Sequence, residues 1–573
     1  MEPDMTAPTP ESPDTPESPD TPESPEPLEI SAAEARSAIG RSLRRPHVFA
    51  PTASVIRQVV AHAEQNPDKV AVVDGAARHT YRELVSRIAQ IRGLLLAEGC
   101  QPGDVIAAAG RRGADTAAIF LALESIGAVY VPVDPSWPQA RSATVLRRSR
   151  AAMLVSYLAE PGAEQKAAAQ VGVPMLTVPA TTHEPPAPGG EIVGRELVGE
   201  LVGRSVPGEE PRYVIFTSGT TGIPKGAVVE QRGMLNHIQA KVLDLGLSPD
   251  DVIAFTAPLV FDISVWQMLT GLVLGATTVV LGDAEMAFPR RLLSAMRREC
   301  VTVVELVPTV VDWLIAEVRR RAAELPELRW CISTGEELHP PVAGRVLDTL
   351  GHVGLLNAYG PTECSDDITH HVITPSDLDS SRLPVGAPIA NAVLYLLVSA
   401  GTSWRAAEPG EVGELFVGGV CVGRGYVNDP DATRAAFFRD VFDPASVTGR
   451  LYRTGDLALF RDGVVHYLGR VDRQVKVAGV RIELDEVEAV LKRHPAVVHC
   501  AVTTFRDGGA VRVVAHYVPG DDAVTDEELE RFVAELLPPA MVPWRWRRLA
   551  EIPMTDNGKV DHKALASGGS GRP

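Results

Sequence analysis

Residues 213–226 read YVIFTSGTTGIPKG. Tyr213 to Phe216 form an apolar run suited to a buried strand. The chain then turns into a loop of small residues, Thr217, Ser218, Gly219, Thr220, Thr221 and Gly222, closed by Pro224, Lys225 and Gly226. Hydroxyl groups donate hydrogen bonds, glycines let backbone N–H groups approach an anion closely, and Lys225 adds positive charge, so the loop suits phosphate. A P-loop would need a Gly-Lys pair followed by Ser or Thr. Here Pro224 precedes Lys225 and Gly226 follows it, so the stretch is a different kind of nucleotide loop.

The chain has 573 residues, which exceeds a single core and predicts several domains. An apolar fraction of 45% and a charged fraction of 22% are those of a globular protein. The formal net charge of −18 argues against a general nucleic-acid binder, which needs a basic face. Part of this acidity is local: residues 1–26 hold eight Asp and Glu and no Lys or Arg. They also carry the repeat PESPDT, PESPDT, PESPEP, which cannot bury enough apolar surface to fold. Residues 1–45 are therefore expected to be a disordered acidic tail. Six scattered cysteines without a CxxC pair suggest neither zinc nor disulfides. The N-terminus lacks the basic start and apolar run of a signal peptide, and a cytoplasmic location is expected.

Strand and helix patterns alternate from Ser54 to about Ser381, which implies crossover connections and largely parallel sheets. Short strands punctuated by Gly and Pro follow, and predict a β-rich subdomain. The expected organisation is α/β: a large domain over residues 46–471, made of two α/β subdomains and the β-rich one, then a small mobile α+β domain over 472–566. Residues 567–573, SGGSGRP, have the composition of a flexible tail.

Nine segments in order carry a family resemblance: HTYREL from His79, GAVYVPVDP from Gly127, the opening loop, FDISVW from Phe261, NAYGPTE from Asn357, GELFVGGVCVGRGYVNDP from Gly413, YRTGDL from Tyr452, GRVDRQVKVAGVRIELDEVE from Gly469 and NGKVD from Asn557. Over roughly residues 50–566 the chain resembles the adenylate-forming superfamily, and within it the amino-acid-activating adenylation domains of nonribosomal peptide synthetases. The resemblance implies a ligase that uses ATP and Mg²⁺ to convert a carboxylic acid to an acyl-adenylate. The acyl group then passes to the phosphopantetheine thiol of a carrier protein, in peptide or other natural-product biosynthesis.

The same resemblance assigns Thr217, Ser218, Gly219, Thr220, Thr221, Gly222 and Lys225 to the triphosphate, and Tyr359 and Asn357 to adenine. Thr362 goes to the α-phosphate, Glu363 to Mg²⁺, Asp456 and Arg470 to the ribose side, and Asp472 to the hinge. Lys559 is implied to be the catalytic cation, delivered by the small domain to the attacking carboxylate. Read locally, Glu363 is an exposed loop acid, and Lys559 is a solvated lysine at an Asn-Gly turn. His562, Ala478, Asp485 and Ala540 depart from the family pattern, all within the small domain.

Asp262 matches the position that pairs with a substrate α-ammonium; read locally, it is an N-cap. By motif, the substrate pocket is lined by Asp262, Ile263, Trp266, Glu305, Ile332, Thr334, Ala358, Asp366 and Asp367. Glu305 interrupts the apolar run VTVVELVP, and a buried carboxylate without a partner is costly. A substrate with a second positive charge would neutralise it, which points to 2,4-diaminobutyrate or ornithine first, because Trp266 shortens the cavity, and to lysine or arginine next. The other reading of Glu305, Asp366 and Asp367 is that they face solvent or cap a helix.

An acyl- or aryl-CoA ligase and a non-catalytic adenylate-binding protein are the competing functions. Asp262 speaks against the first, and Lys559, Glu363 and Asp456 against the second. The sequence predicts a free-standing enzyme that needs a separate carrier protein, with a small MbtH-like helper protein as a further possible partner, and with no nucleic-acid or membrane partner.

Overall fold

Continuous apolar strands such as Pro211–Thr217 and Val129–Val133 are buried on both faces, as parallel sheets covered by helices require. The computed structural model describes residues 25–49, 54–160, 162–179, 195–218, 223–477, 479–507, 510–520, 524–554 and 560–566. Among these, one sheet of nine strands has the parallel succession Gly354–Tyr359, Trp330–Ser333, Val303–Leu306, Val252–Phe255, Thr277–Val280 and Val70–Asp74 at its centre. A second sheet, of seven strands, holds Pro211–Thr217 between Val129–Val133 and the antiparallel Lys225–Glu230. A third sheet, antiparallel and also of seven strands, includes Ala392–Ala400, Gly413–Gly419 and Arg450–Arg461. The fold is thus mixed α/β with a β-rich subdomain, followed by a small α+β domain.

Helices join the two α/β subdomains. The helix Ala114–Ile126 is almost wholly buried, its acidic Glu124 included. Glu124 accepts hydrogen bonds from the N–H groups of Val55 at 3.1 Å and Ile56 at 2.8 Å, at the start of the helix Val55–Gln65. A buried carboxylate is tolerated there because free N–H groups and the positive end of a helix meet it.

Residues 25–45 are not a disordered tail. Pro27 and Ile30 bridge to Arg439 and Trp404, Ala32–Arg41 is a helix capped by Ser31, and Leu43–Arg44 pairs with Ala392–Ala400. The acidic repeat ends near Glu26, and beyond it Leu28 and Ala38 bury against Tyr395 and Phe416. Residues 1–24 lie outside the described residues.

The small domain has its own core around Ile482, Val487, Val502, Ala515 and Leu529. It is built from the hairpin Gln474–Val477 with Val480–Glu483, the helix Leu484–Leu491, the long hairpin Val497–Asp507 with Ala510–Pro519, and the helix Asp526–Ala534. Arg141 of the large domain pairs with Glu486 of the small one at 2.7 Å, with side chains 6% and 0% exposed. Removing one partner of such a pair leaves an uncompensated buried charge and costs about 3–5 kcal/mol. Glu486→Gln is therefore expected to loosen the small domain. Limited proteolysis in the connection around Asp472 should become faster by about tenfold, and an unchanged rate would show that this pair does not hold the domains together.

Candidate functional site

The parallel strands Val303–Leu306, Trp330–Ser333 and Gly354–Tyr359 end side by side, and the first residues beyond strand ends are where α/β sheets bind ligands. Ser218, next to the end of the strand Pro211–Thr217, and the segment 360–367 come to the same cleft, where both contact Arg481. In the opening stretch, the Thr217 hydroxyl donates to the Lys225 carbonyl at 3.4 Å, and Lys225 Nζ lies 5.3 Å from the Tyr426 ring centre. Gly219, Thr220, Thr221 and Gly222 lie outside the described residues.

On the face assigned to adenine and ribose, Asn357 Nδ2 donates to the Pro384 carbonyl at 2.8 Å, and the Tyr359 hydroxyl donates to Asp456. Arg470 binds the other Asp456 oxygen at 2.7 Å and also Asp472 at 2.7 Å. The hinge candidate is therefore tied directly to the ribose candidate.

Segment 360–367 is folded back tightly. A Cβ on Gly360 would stand 2.0 Å from the Asp366 carbonyl oxygen, and Ser365 and Asp366 have φ of 67° and 100°. Left-handed backbone at a non-glycine residue is a sign of strain retained for positioning. Glu363 is 1% exposed, so the local reading of it as an exposed loop acid fails. It accepts from the Tyr426 hydroxyl at 2.6 Å and pairs with Arg481 at 3.0 Å. Burial opposes its charge, but Arg481 and Tyr426 hold the carboxyl below its usual range. A buried carboxylate that already attracts a guanidinium is suited to a divalent cation as well.

Arg481 belongs to the small domain's first hairpin, which lies over the cleft. Ser218 Oγ donates to the Arg481 carbonyl at 2.8 Å, and the Gly479 N–H donates to Glu336 at 3.1 Å. Lys476, on the same hairpin, is exposed. Lys559 lies outside the described residues. Its neighbour Val560 packs with Ile552 and Leu565 on the small domain's own sheet, against Ala501.

Asp262 caps the helix Ile263–Leu274 through the Ile263 N–H at 3.0 Å, so the local N-cap reading of this residue holds. Burial raises the pKa of this carboxyl, which the neighbouring Thr362 and the Ile263 N–H partly offset. Of the apolar positions mapped to the pocket, Trp266, Ile332 and Ala358 are buried, and Ile263 is partly buried.

The charge balance differs from the expectation. Glu305 does not lack a partner: Lys241 Nζ lies 3.0 Å from its Oε1, and Trp266 Nε1 donates to its Oε2. Lys241 also pairs with Asp367 at 2.8 Å and sits 4.2 Å from the Trp266 ring centre. Thr334 donates to Asp367 at 3.2 Å. Nor do Glu305, Asp366 and Asp367 face solvent or cap a helix; all three are buried.

Burial opposes the charge on Asp367, yet Lys241 and the neighbouring histidines hold its pKa well below the usual range. For Asp366 the balance is reversed: burial, then the charges of Asp367 and Asp262, push it far up. Its closest basic atom is His237 Nδ1 at 3.6 Å, and that imidazole is lowered to about 4 by burial, so it is neutral at pH 7. Asp366 Oδ2 has no hydrogen-bond partner among the described residues. Behind the pocket, His370 lies 3.8 Å from Asp367 and 2.8 Å from Asp244, and Asp244 pairs with Arg45 at 2.7 Å.

Sequence reasoning missed Lys241, His237, His370 and Arg481. A signal for two of them exists: in the helix Gln231–Leu245, His237 and Lys241 share a face with the buried Met234, Ile238 and Leu245. A lysine in a buried helical stripe needs an anion.

The sequence pattern of AMP-binding enzymes matches residues 59–427, and that of the C-terminal domain of AMP-binding enzymes matches 486–559. The chain is 35% identical over 520 residues to phosphinothricin tripeptide synthetase PhsB of Streptomyces viridochromogenes, covering 89% of this chain and 42% of that protein. It is 30% identical over 513 residues to zwittermicin A synthase ZmaJ of Bacillus cereus, covering 88% of this chain and 93% of that one. Most of the curated relatives it matches are far longer; it spans 9% of malpibaldin synthetase of Mortierella alpina, at 31% identity over 94% of this chain. Among solved structures, holo-PA1221, described as a nonribosomal peptide synthetase protein with adenylation and PCP domains, superposes with a TM-score of 0.75 at 26% identity, covering 90% of this chain and 84% of that one. The chain carries both domains of the adenylate-forming AMP-binding enzymes, and it belongs to that family.

Proposed function

We propose that this protein activates an α-amino acid bearing a second cation, 2,4-diaminobutyrate or ornithine before lysine or arginine, as its aminoacyl-adenylate. It then transfers the aminoacyl group to the phosphopantetheine thiol of a separate carrier protein. The family supports the adenylate chemistry, and relatives named as nonribosomal peptide synthetases support the amino acid and the carrier. The observation that carries the choice of substrate is Asp366, a buried acid in the motif-mapped pocket whose nearest basic neighbour is a neutral histidine.

In this reading the α-ammonium meets Asp262, held by the Ile263 N–H, and the side-chain cation meets Asp366. The substrate carboxylate attacks the α-phosphate of ATP, and pyrophosphate leaves toward Thr217, Ser218, Lys225 and the glycine loop. Two anions are brought together in this step, so cations and oriented donors must absorb the charge. Glu363 would hold Mg²⁺, which supplies charge stabilisation to the phosphates when bound. Asp456 and Arg470 would hold the ribose, Tyr359 and Asn357 the base, and Lys559 the reacting carboxylate.

Arg481 reaches the cleft from the small domain. The Glu363 carboxylate that pairs with Arg481 is the one a metal would need, so the hairpin must withdraw before Mg-ATP engages it. Rotation about Asp472 would exchange the hairpin face for the Lys559 face. The carrier thiol would enter after adenylate formation, attack the aminoacyl carbonyl and release AMP.

Pyrophosphate exchange over a panel of amino acids tests this reading. It is expected to be strongest with the diamino acids; stronger exchange with neutral or acidic amino acids would overturn the choice of substrate. Lys559→Ala should lower exchange by about 100-fold or more while ATP binding is little changed, because the lost contact belongs to the transition state. Near-normal exchange by this variant would remove Lys559 from the mechanism.

A further inference from the structure

Lys241 stands outside the set of residues that the motifs map to the substrate pocket, yet its ammonium reaches three of them. It lies 3.0 Å from Glu305 and 2.8 Å from Asp367, over the face of Trp266, with its side chain 0% exposed. Two carboxylates and an aromatic face are the surroundings that the distal ammonium of a long basic substrate would need. The protein has supplied that ammonium itself. Asp366 is left over: it has an unpartnered buried oxygen and, among the described residues, no lysine or arginine within ion-pair distance.

We propose that Lys241 is a built-in counter-cation that truncates the substrate pocket, so that the protein selects an α-amino acid whose second ammonium lies only two or three bonds from Cα, where it meets Asp366. On the proposed amino-acid adenylation, on which this inference rests and which it narrows by taking ornithine out of the first rank, 2,3-diaminopropionate and 2,4-diaminobutyrate are the preferred substrates. Ornithine and lysine are disfavoured because their ammonium would be driven toward Lys241, and like charges in a buried pocket repel strongly. Arginine is excluded for the same reason, with added bulk. Trp266 holds Glu305 from the other side, so the lysine cannot swing away without leaving that acid unpaired.

The test is a pyrophosphate-exchange panel run on the wild type and on Lys241→Met, which keeps an unbranched side chain and removes the charge. The wild type is expected to favour the two short diamino acids over ornithine and lysine by about tenfold or more in kcat/KM. In Lys241→Met the terminal ammonium of ornithine or lysine replaces the missing charge, and the preference should move toward them by about tenfold, mainly through KM. Norleucine, with the length of ornithine but no charge, should gain nothing. The double variant Lys241→Met/Glu305→Gln restores the pocket's net charge and should show the same shift, which guards against a folding failure of the single variant.

A wild-type preference for ornithine or lysine overturns the inference, and so does an unchanged preference order in a folded variant. Wild-type protein that exchanges no amino acid contradicts the proposed function itself, a separate result.

Discussion

The Lys241 ammonium, held between Glu305 and Asp367, is the interaction on which the pocket depends. Taking three charges out of water costs several kcal/mol per ion and is sustained only when the geometry satisfies each of them. Trp266 on Glu305, Thr334 on Asp367, and the line His370, Asp244, Arg45 behind them provide that geometry. Residues from both ends of the large domain thus converge on one cation. The N-terminal arm is part of this arrangement, since Arg45 follows directly on the strand Leu43–Arg44 that pins it to the β-rich sheet. The net result is asymmetric. Glu305 and Asp367 are paired from within, whereas Asp366 is buried beside a neutral imidazole, and burial with the charges of Asp367 and Asp262 pushes its pKa up.

The strained turn at Ser365 and Asp366 ties this pocket to the nucleotide side. Thr362 and Glu363 precede it and Asp367 follows it, so one tightly folded segment contributes to both sides. Glu363 in turn couples the large domain to the small one through Arg481, and Asp456 couples to Asp472 through Arg470. Charged contacts therefore span the domain junction at the cleft itself, with Arg141 and Glu486 as a buried pair elsewhere on the same interface. Such contacts are directional and break cleanly, which suits a domain that changes faces during a reaction cycle.

Much of the fold was legible in the sequence because strand and helix periods alternate cleanly from Ser54 onward and turn residues punctuate the later strands. The failure at residues 25–45 has a local cause: the acidic repeat ends at Glu26, and the next apolar positions are few, but they find a sheet to pack on. The candidate pocket was legible as a set of positions and not as a charge balance. Glu305 could be read as a buried acid from its apolar neighbours, but the partner that satisfies it lies 64 residues away on the helix Gln231–Leu245. Pairing across that distance is a property of the packed fold. The burial of Glu363 was hidden for the same reason, since its partners Tyr426 and Arg481 come from remote segments.

If a substrate's second ammonium replaces the proton on Asp366, binding must release that proton. Titration calorimetry at pH 7 in buffers of different ionisation enthalpy measures the number released. The account predicts that 2,4-diaminobutyrate releases about one proton more per site than 2-aminobutyrate, which lacks the second ammonium. Equal proton release by the two ligands would contradict it.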